Sequence, residues 1–419
     1  MNKNSGTRKM LGFHSAYTFE YIKEYGLEIF VQARDASNFF SDILTVSPIA
    51  SLQYPLGDKR FYSKPEFFRL DSKNTILEGR IARFRLLRII PMLNFFCAQI
   101  GLLLAILKKA HLREIVLVRS EDPRLNGLYG FIFAKLLRKP FVVGVWGNPG
   151  RLRELNQTPN MPRLFPTMKS EELLEKFILR RADAVLVQNF ENLQYVLKCG
   201  VDEAKCHYTE LGVGIDKSHF LPNSERSDVT ADLAALGVND ELILVCISRL
   251  EKLKMVDHAI LASKVLLNAD INFKLLLIGD GRELENLKLL ASSEGLGNRV
   301  IFCGNRSQEW ISGALKSSHI NVAPLCGRSL LEASLAGLPA AAYEVDWHSE
   351  IVKNGVTGFL VPNLDYFALG EALTTLCRDA TLRARFKQNM LKAAIQFADP
   401  LQIAKRQRGI YESLTNENI

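Results

Sequence analysis

Apolar residues in the second half of the chain fall in short solid runs separated by stretches of helical periodicity. The runs at 242–247, 273–278, 299–303 and 320–323 read as strands buried on both faces. Between them, 256–267, 282–293, 309–317 and 329–336 repeat apolar positions at three- and four-residue intervals and read as helices. Strand and helix in alternation predict a parallel, doubly wound sheet. The first half repeats the theme less regularly, with strands predicted at 115–118, 141–145 and 184–187 and helices at 125–137 and 170–181. The fold class is therefore α/β with two Rossmann-like domains. The polar, turn-rich stretch 220–228 reads as the linker between them.

A chain of 419 residues exceeds one ordinary core and supports two. The net charge of +8 attracts polyanions, whether phosphorylated ligands or an anionic membrane leaflet. No aromatic-basic interleaving of a nucleic-acid module accompanies it, so nucleic acid is not an expected partner. The 7 cysteines (Cys97, Cys199, Cys206, Cys246, Cys303, Cys326 and Cys377) are scattered, without a Cys-x-x-Cys pair, and suit a reducing cytoplasm. No His or Cys cluster has metal-ligand spacing. The basic start Met1-Asn2-Lys3 is followed by no apolar run, which predicts no signal peptide. The most apolar stretch, 95–107, is shorter than the roughly 20 residues a membrane span needs and predicts a buried or interfacial helix. Arg80, Arg83, Arg85 and Arg88 precede it. They fit either docking on an anionic membrane or the basic outer side of an amphipathic helix.

Three segments at predicted strand ends carry candidate chemistry. Ser248-Arg249-Leu250-Glu251-Lys252-Leu253-Lys254 lies where open α/β sheets bind ligands. Arg249 and Lys254 there either neutralise a diphosphate or form a solvated basic loop. Gly279-Asp280-Gly281 is a tight βα turn whose glycines permit positive φ or close backbone approach to a ligand. In Cys326-Gly327-Arg328-Ser329-Leu330-Leu331-Glu332, Arg328 and Glu332 share a helix face. They form an exposed ion pair, or else Glu332 accepts hydrogen bonds from vicinal ribose hydroxyls. A fourth segment, Asp346-Trp347-His348-Ser349-Glu350, offers Trp347 and His348 as ligand contacts and Glu350 as a helix cap, with packing as the alternative.

In order and spacing these segments resemble the donor domain of the retaining family-4 glycosyltransferases. The family pattern of Gly-Arg-Leu, Lys-Gly, Gly-Asp-Gly, a strand-end Pro and Glu-Ala-x-x-x-Gly-x-Pro meets Ser248-Arg249-Leu250, Lys254, Gly279-Asp280-Gly281, Pro324 and Glu332-Ala333 with Gly337 and Pro339. The resemblance implies a GT-B fold, two Rossmann-like domains facing each other across a cleft. Its divisions are an acceptor-side domain (1–221), a donor domain (222–395) and a C-terminal helix (396–419) packing back on the first. It also implies metal-independent hexosyl transfer from a nucleotide-sugar donor to a glycan or lipid-linked acceptor, with retention and no cofactor. That reaction would serve cell-surface polysaccharide synthesis in the cytoplasm or on the inner face of the membrane.

By the same resemblance Arg249 and Lys254 are catalytic, holding the diphosphate. Ser248, Gly279, Gly281, Cys303, Gly327, Arg328 and Glu332 line the donor site. His14, beside Ser15 and Tyr17, joins Trp146 and Asn148 on the acceptor side. Leu211-Gly212-Val213-Gly214-Ile215-Asp216 resembles the family's hinge-proximal segment. The chain departs from the pattern at Pro324, where a first glutamate is usual, at Trp146, where a histidine is usual, and at Ser248 and Met255, where glycines are usual. A GT-B epimerase and a catalytically silent nucleotide-sugar-binding partner stay open beside the transferase.

Overall fold

The computed structural model describes residues 7–14, 17–24, 26–54, 58–109, 112–162, 164–209 and 214–415. Ser15, the 211–213 part of the hinge-like segment and the first six residues lie outside them. The chain divides into two compact units, Met1–Val213 with Pro400–Ile419, and Gly214–Asp399.

Unit 1 carries β1 (Lys9–Phe13), β2 (Asp42–Ser47), β3 (Glu66–Arg69), β4 (Asn74–Glu78), β5 (Ile115–Ser120), β6 (Phe141–Val145), β7 (Ala184–Val187) and β8 (Cys206–Tyr208). They form one sheet in the order β3-β4-β2-β1-β5-β6-β7-β8, parallel except for β3 against β4. Strands covered on both faces are solidly apolar, as in β6, buried at every position. β2, β3, β4 and β8 interleave polar residues (DILTVS, EFFR, NTILE, CHY), so no solid run announces them.

Unit 2 carries β9 (Leu242–Ile247), β10 (Phe273–Ile278), β11 (Val300–Gly304), β12 (Ile320–Ala323), β13 (Ala340–Tyr343) and β14 (Gly358–Val361). The order is β11-β10-β9-β12-β13-β14 and the pairing parallel throughout. Strand order reverses between β9 and β12, so the sheet's crevice opens outside their carboxyl ends. The helix Val256–Asn268 lays Ala259, Ile260, Ala262 and Leu266 on one face of the sheet. Ile311, Ala314 and Leu315 of the helix Gln308–Ser317 cover the other.

The polar stretch at 220–228 is a folded loop of unit 2, not the junction. Arg226 in its middle is buried, donating from Nε to the Leu221 carbonyl (3.1 Å) and from Nη2 to the carbonyls of His219 (2.6 Å) and Leu335 (2.9 Å). Turn composition here reflects a loop that satisfies the carboxyl end of the helix Ser329–Leu335.

The apolar helix is longer than its most apolar stretch, running Pro91–Lys109. Ala98, Leu102 and Ile106, spaced by one turn, are buried, whereas Met92, Phe96, Ile100 and Leu104 are each more than half exposed. By length and composition alone, 18 of its residues are apolar enough to cross a membrane, with only 22% of that window buried. Arg80 is excluded from any surface charge patch: it is fully buried, with Nη1 3.0 Å from Glu78 Oε2.

The helix Pro400–Leu414 returns to unit 1, where Tyr411 is buried beside Phe39 and Phe40. Its hydroxyl donates to the Arg34 carbonyl (2.6 Å) and accepts from Arg119 Nη1 (2.6 Å). Replacing Tyr411 with Phe keeps the ring and removes both bonds, while Arg119 Nη1 keeps its own bond to the Arg34 carbonyl (3.0 Å), so the loss costs about 1 kcal/mol. Tyr411→Phe is therefore expected to lower the urea midpoint of unfolding and to open the 400–414 segment to proteolysis. An unchanged midpoint would refute the role of this hydroxyl.

Candidate active site

The loop after β9 is built by interlocking with the loop after β10. Ser248 N–H donates to the Ile278 carbonyl (3.0 Å), Leu250 N–H to Asp280 (2.9 Å) and Glu283 N–H to Leu250 (2.9 Å). Gly279, at φ +137°, lies so close that an added Cβ would stand 2.0 Å from the Ser248 carbonyl oxygen. At Gly281 it would stand 2.3 Å from that of Leu250. The glycines thus serve the approach of one backbone to another, rather than of backbone to ligand. Buried Leu250 anchors the loop, and Arg249 projects into solvent.

The chain then makes a 3-10 turn at Lys252–Lys254 and passes through Met255 at φ +52° into the helix Val256–Asn268. Met255 holds a left-handed conformation that costs a non-glycine residue about 1–2 kcal/mol, at a position where the family pattern has glycine. The conformation survives the substitution. Among the described residues neither Arg249 nor Lys254 makes a side-chain hydrogen bond or ion pair. Burial pushes the Lys254 ammonium below its ordinary value, and the neighbouring Arg249 adds to that. Cys326, Asp346 and Cys246 work the other way. Two cations therefore stand near each other at the sheet's switch point without a bonded counter-ion, an arrangement an anion would relieve.

The loop after β12 forms the other wall. Ser329 Oγ donates to the Ile247 carbonyl (2.7 Å), tying the start of the helix Ser329–Leu335 to the end of β9. His348 supports the loop from beneath, its Nε2 3.1 Å from the Cys326 carbonyl and its Nδ1 3.0 Å from that of Tyr343. Glu332 carries no hydrogen bond or ion pair through its carboxyl group among the described residues. Burial raises its pKa above the carboxylate range and Asp216 adds to this. His219 and Arg328 pull it down. Cys326 links the two walls: neighbouring Cys246 lowers its thiol's pKa, burial opposes this, Lys254 lowers it further, and Glu332 raises it. The structure thus brings Arg249, Lys254, Cys326 and Glu332 to one sheet edge.

Other sequence-predicted residues fall differently. Gly327 faces open space, and Arg328 Nη1 donates to the Gly214 carbonyl (3.3 Å). Pro324 is buried. Cys303 points away from the crevice into the apolar cluster with Leu276, Ile278 and Ile311, where burial raises its thiol to about 11. Trp347 and His348 are both buried, the indole stacked on Phe397, so they pack rather than line a ligand site.

In unit 1, Trp146 Nε1 donates to Glu121 Oε2 (2.6 Å), and Gly144 leaves the space its ring fills. Asn148 is a helix cap, its Oδ1 accepting from Arg151 N–H (3.1 Å) and its Nδ2 donating to Glu191 (3.0 Å). Both side chains are committed within the protein. His14, at the end of β1, is held neutral, its pKa pushed down to about 3 by burial and then by Arg34. Sequence reasoning missed His219, Arg34, Arg119 and Glu121. Arg119 was detectable as a charge that directly follows the apolar run Ile115-Val116-Leu117-Val118.

Residues 203–393 match the family model described as glycosyl transferases group 1. An exopolysaccharide phosphotransferase of Streptomyces coelicolor is 34% identical over 35% of this chain and 16% of its own length. An alpha-D-kanosaminyltransferase of Streptomyces kanamyceticus is 24% identical over 66% of this chain and 69% of its own length. The chain thus spans only 16% of the first of these relatives. HepE of Anabaena, solved in complex with UDP, superposes with a TM-score of 0.71 at 17% identity, covering 97% of this chain and 100% of that one. The chain thus has two parallel-sheet units of GT-B fold, and its second half carries a segment that matches the glycosyl transferases group 1.

Proposed function

We propose that the chain transfers a hexosyl group, with retention, from a uridine or related nucleotide-sugar donor to a glycan or lipid-linked acceptor. The observation carrying this reading is the pair of cations without a bonded counter-ion, Arg249 and Lys254, at the β9–β12 switch point, with the uncommitted carboxyl of Glu332 on the other side of Cys326, which feels both Lys254 and Glu332. In this reading the cations stabilise the charge that grows on the diphosphate as its bond to the anomeric carbon breaks. The acceptor oxygen bonds that carbon on the face the leaving group departs, and the hydroxyl proton passes to the departing phosphate oxygen. Glu332 accepts hydrogen bonds from the ribose, and UDP in the HepE complex is the reason to test uridine first.

Removing one charged partner of a diphosphate costs about 1.5–3 kcal/mol, or ten- to hundredfold in affinity. Arg249→Ala and Lys254→Ala should each weaken UDP binding by that factor in calorimetry. Undiminished binding by the double variant would end the reading.

Glu332 adds a pH signature. Its pKa is raised in the free protein, and ribose hydroxyls that donate to it favour the ionised form and lower that pKa. Binding thus releases a proton, and affinity should fall as pH drops through the raised pKa, by up to about tenfold per pH unit. Glu332→Gln should bind more weakly at neutral pH and lose this component, leaving only the titration of the nucleotide phosphate. Parallel pH profiles for the two proteins would contradict the ribose role.

We further infer that the protein works peripherally on the cytoplasmic face of an anionic membrane. Leu86 and Ile89, 91% and 80% exposed, continue into the exposed side of the helix Pro91–Lys109, with Arg85 and Arg88 exposed beside them. Apolar side chains flanked by arginines suit the lipid interface. Co-sedimentation with vesicles containing phosphatidylglycerol should be strong at low salt and fall severalfold in Leu86→Glu/Ile89→Glu. Equal sedimentation of both proteins would exclude this face.

A further inference from the structure

Unit 1 has a switch point of its own. β1 lies between β2 and β5, so chain connections leave it in opposite directions and a crevice opens at the carboxyl ends of β1 and β5. Gly12 in β1 is paired with Thr45 of β2 and Arg119 of β5. By strand alternation His14, Ser47 and Glu121 share their face at the strand ends.

Two guanidinium groups and one carboxylate meet on this face. Glu121 Oε1 stands 3.2 Å from Arg34 Nε and 2.9 Å from Arg119 Nε. Arg119 commits its Nη1 to Tyr411 and to the Arg34 carbonyl. Arg34 commits Nη1 to Thr45 Oγ1 (2.6 Å). Asp35, next in sequence, is engaged elsewhere, by the N–H groups of Phe39 and Phe40 and by Lys73.

Among the described residues, Arg119 Nε and Glu121 Oε1 meet only as an ion pair, and three further buried polar atoms of this face have no hydrogen-bond partner: Arg34 Nη2, His14 Nδ1 and Ser47 Oγ. Arg34 is only 3% exposed, whereas His14, at the rim, is half-buried. Two guanidinium groups against one carboxylate leave the cluster with a net positive charge. Burial lowers His14 to about 3 with Arg34 and Arg119 adding to the effect, and it lowers Arg34 itself to about 10. Leaving a buried guanidinium donor unmet is costly, and an anion is the ligand that meets it.

We propose that this crevice is an anion subsite that takes a phosphate group of the acceptor, with Arg34 Nη2, Ser47 Oγ and the N–H of neutral His14 as its donors. Three donors match three phosphate oxygens. The term acceptor rests on the glycosyl-transfer reading above, but anion binding in unit 1 does not.

The test uses the full chain carrying Arg249→Ala/Lys254→Ala, which silences the diphosphate grip, and titrates glycerol 1-phosphate against glycerol in calorimetry and thermal unfolding. Glycerol 1-phosphate should bind and raise the melting temperature, while glycerol does neither. Adding Ser47→Ala or His14→Ala removes one donor without removing an existing bond, and each should weaken binding about tenfold. In a protein with Arg249 and Lys254 intact, the same two substitutions should leave UDP affinity unchanged.

Absence of binding, binding indifferent to both substitutions, or binding that exists only with Arg249 and Lys254 present would each overturn the subsite. Persistent glycerol 1-phosphate binding in a protein whose UDP affinity ignores Arg249→Ala would support the subsite while defeating the donor assignment.

Discussion

Positive charge held without a counter-ion is the constraint on which the second unit's edge depends. Arg249 and Lys254 repel each other, and nothing in their own loop compensates them. The loop keeps its shape because Ser248 is hydrogen-bonded to Ile278 at the end of β10 and Leu250 to Asp280 of the Gly-Asp-Gly turn, and because Leu250 is buried beneath it. Apolar anchoring and backbone pairing thus hold an electrostatically unfavourable pair in place, as expected of preorganised sites, where unfavourable free-state electrostatics are offset by the surrounding fold.

The same logic explains the departures from the family pattern. Met255 occupies a left-handed backbone position without glycine's freedom, so the turn into the following helix is imposed by its surroundings and not by local preference. Pro324 leaves the β12 wall without a carboxylate at that position, and Glu332 is the wall's uncommitted acid. Its raised pKa comes first from burial, so the group that would meet the ribose is also the one most readily neutralised by acid.

Legibility followed packing. β9, β10 and β12 of unit 2 are buried at nearly every position, so their apolar runs were complete and their order along the chain placed Arg249, Lys254 and Glu332 after strand ends. β2 and β4 are as central to unit 1 but carry Thr45, Ser47, Asn74 and Glu78, polar residues buried through specific partners or at the site edge. Pattern alone does not reveal those partners. Cys303 was given a donor-lining place by resemblance, and in the structure its side chain is buried among Leu276, Ile278 and Ile311, a packing that the resemblance does not encode. Trp347 and His348 open a helix at a sheet edge, where exposure is the usual expectation. Asp346, at φ +53°, turns the chain so that both go inward. The loop around Arg226 looked like a linker because its stabilising contacts run to carbonyl groups, which leave no compositional trace.

The return of the helix Pro400–Leu414 to unit 1 has a consequence for biosynthesis. Tyr411 and the Arg34 carbonyl are 377 positions apart along the chain, while unit 2 is contiguous between them. Unit 2 can close its core as soon as residue 399 leaves the ribosome. Unit 1, although its strands emerge first, waits for the helix Pro400–Leu414 before Phe39 and Phe40 are covered by Tyr411. The order of emergence and the order of completion are reversed, and a nascent chain stalled between residues 399 and 414 would carry an unfinished first unit and a finished second one.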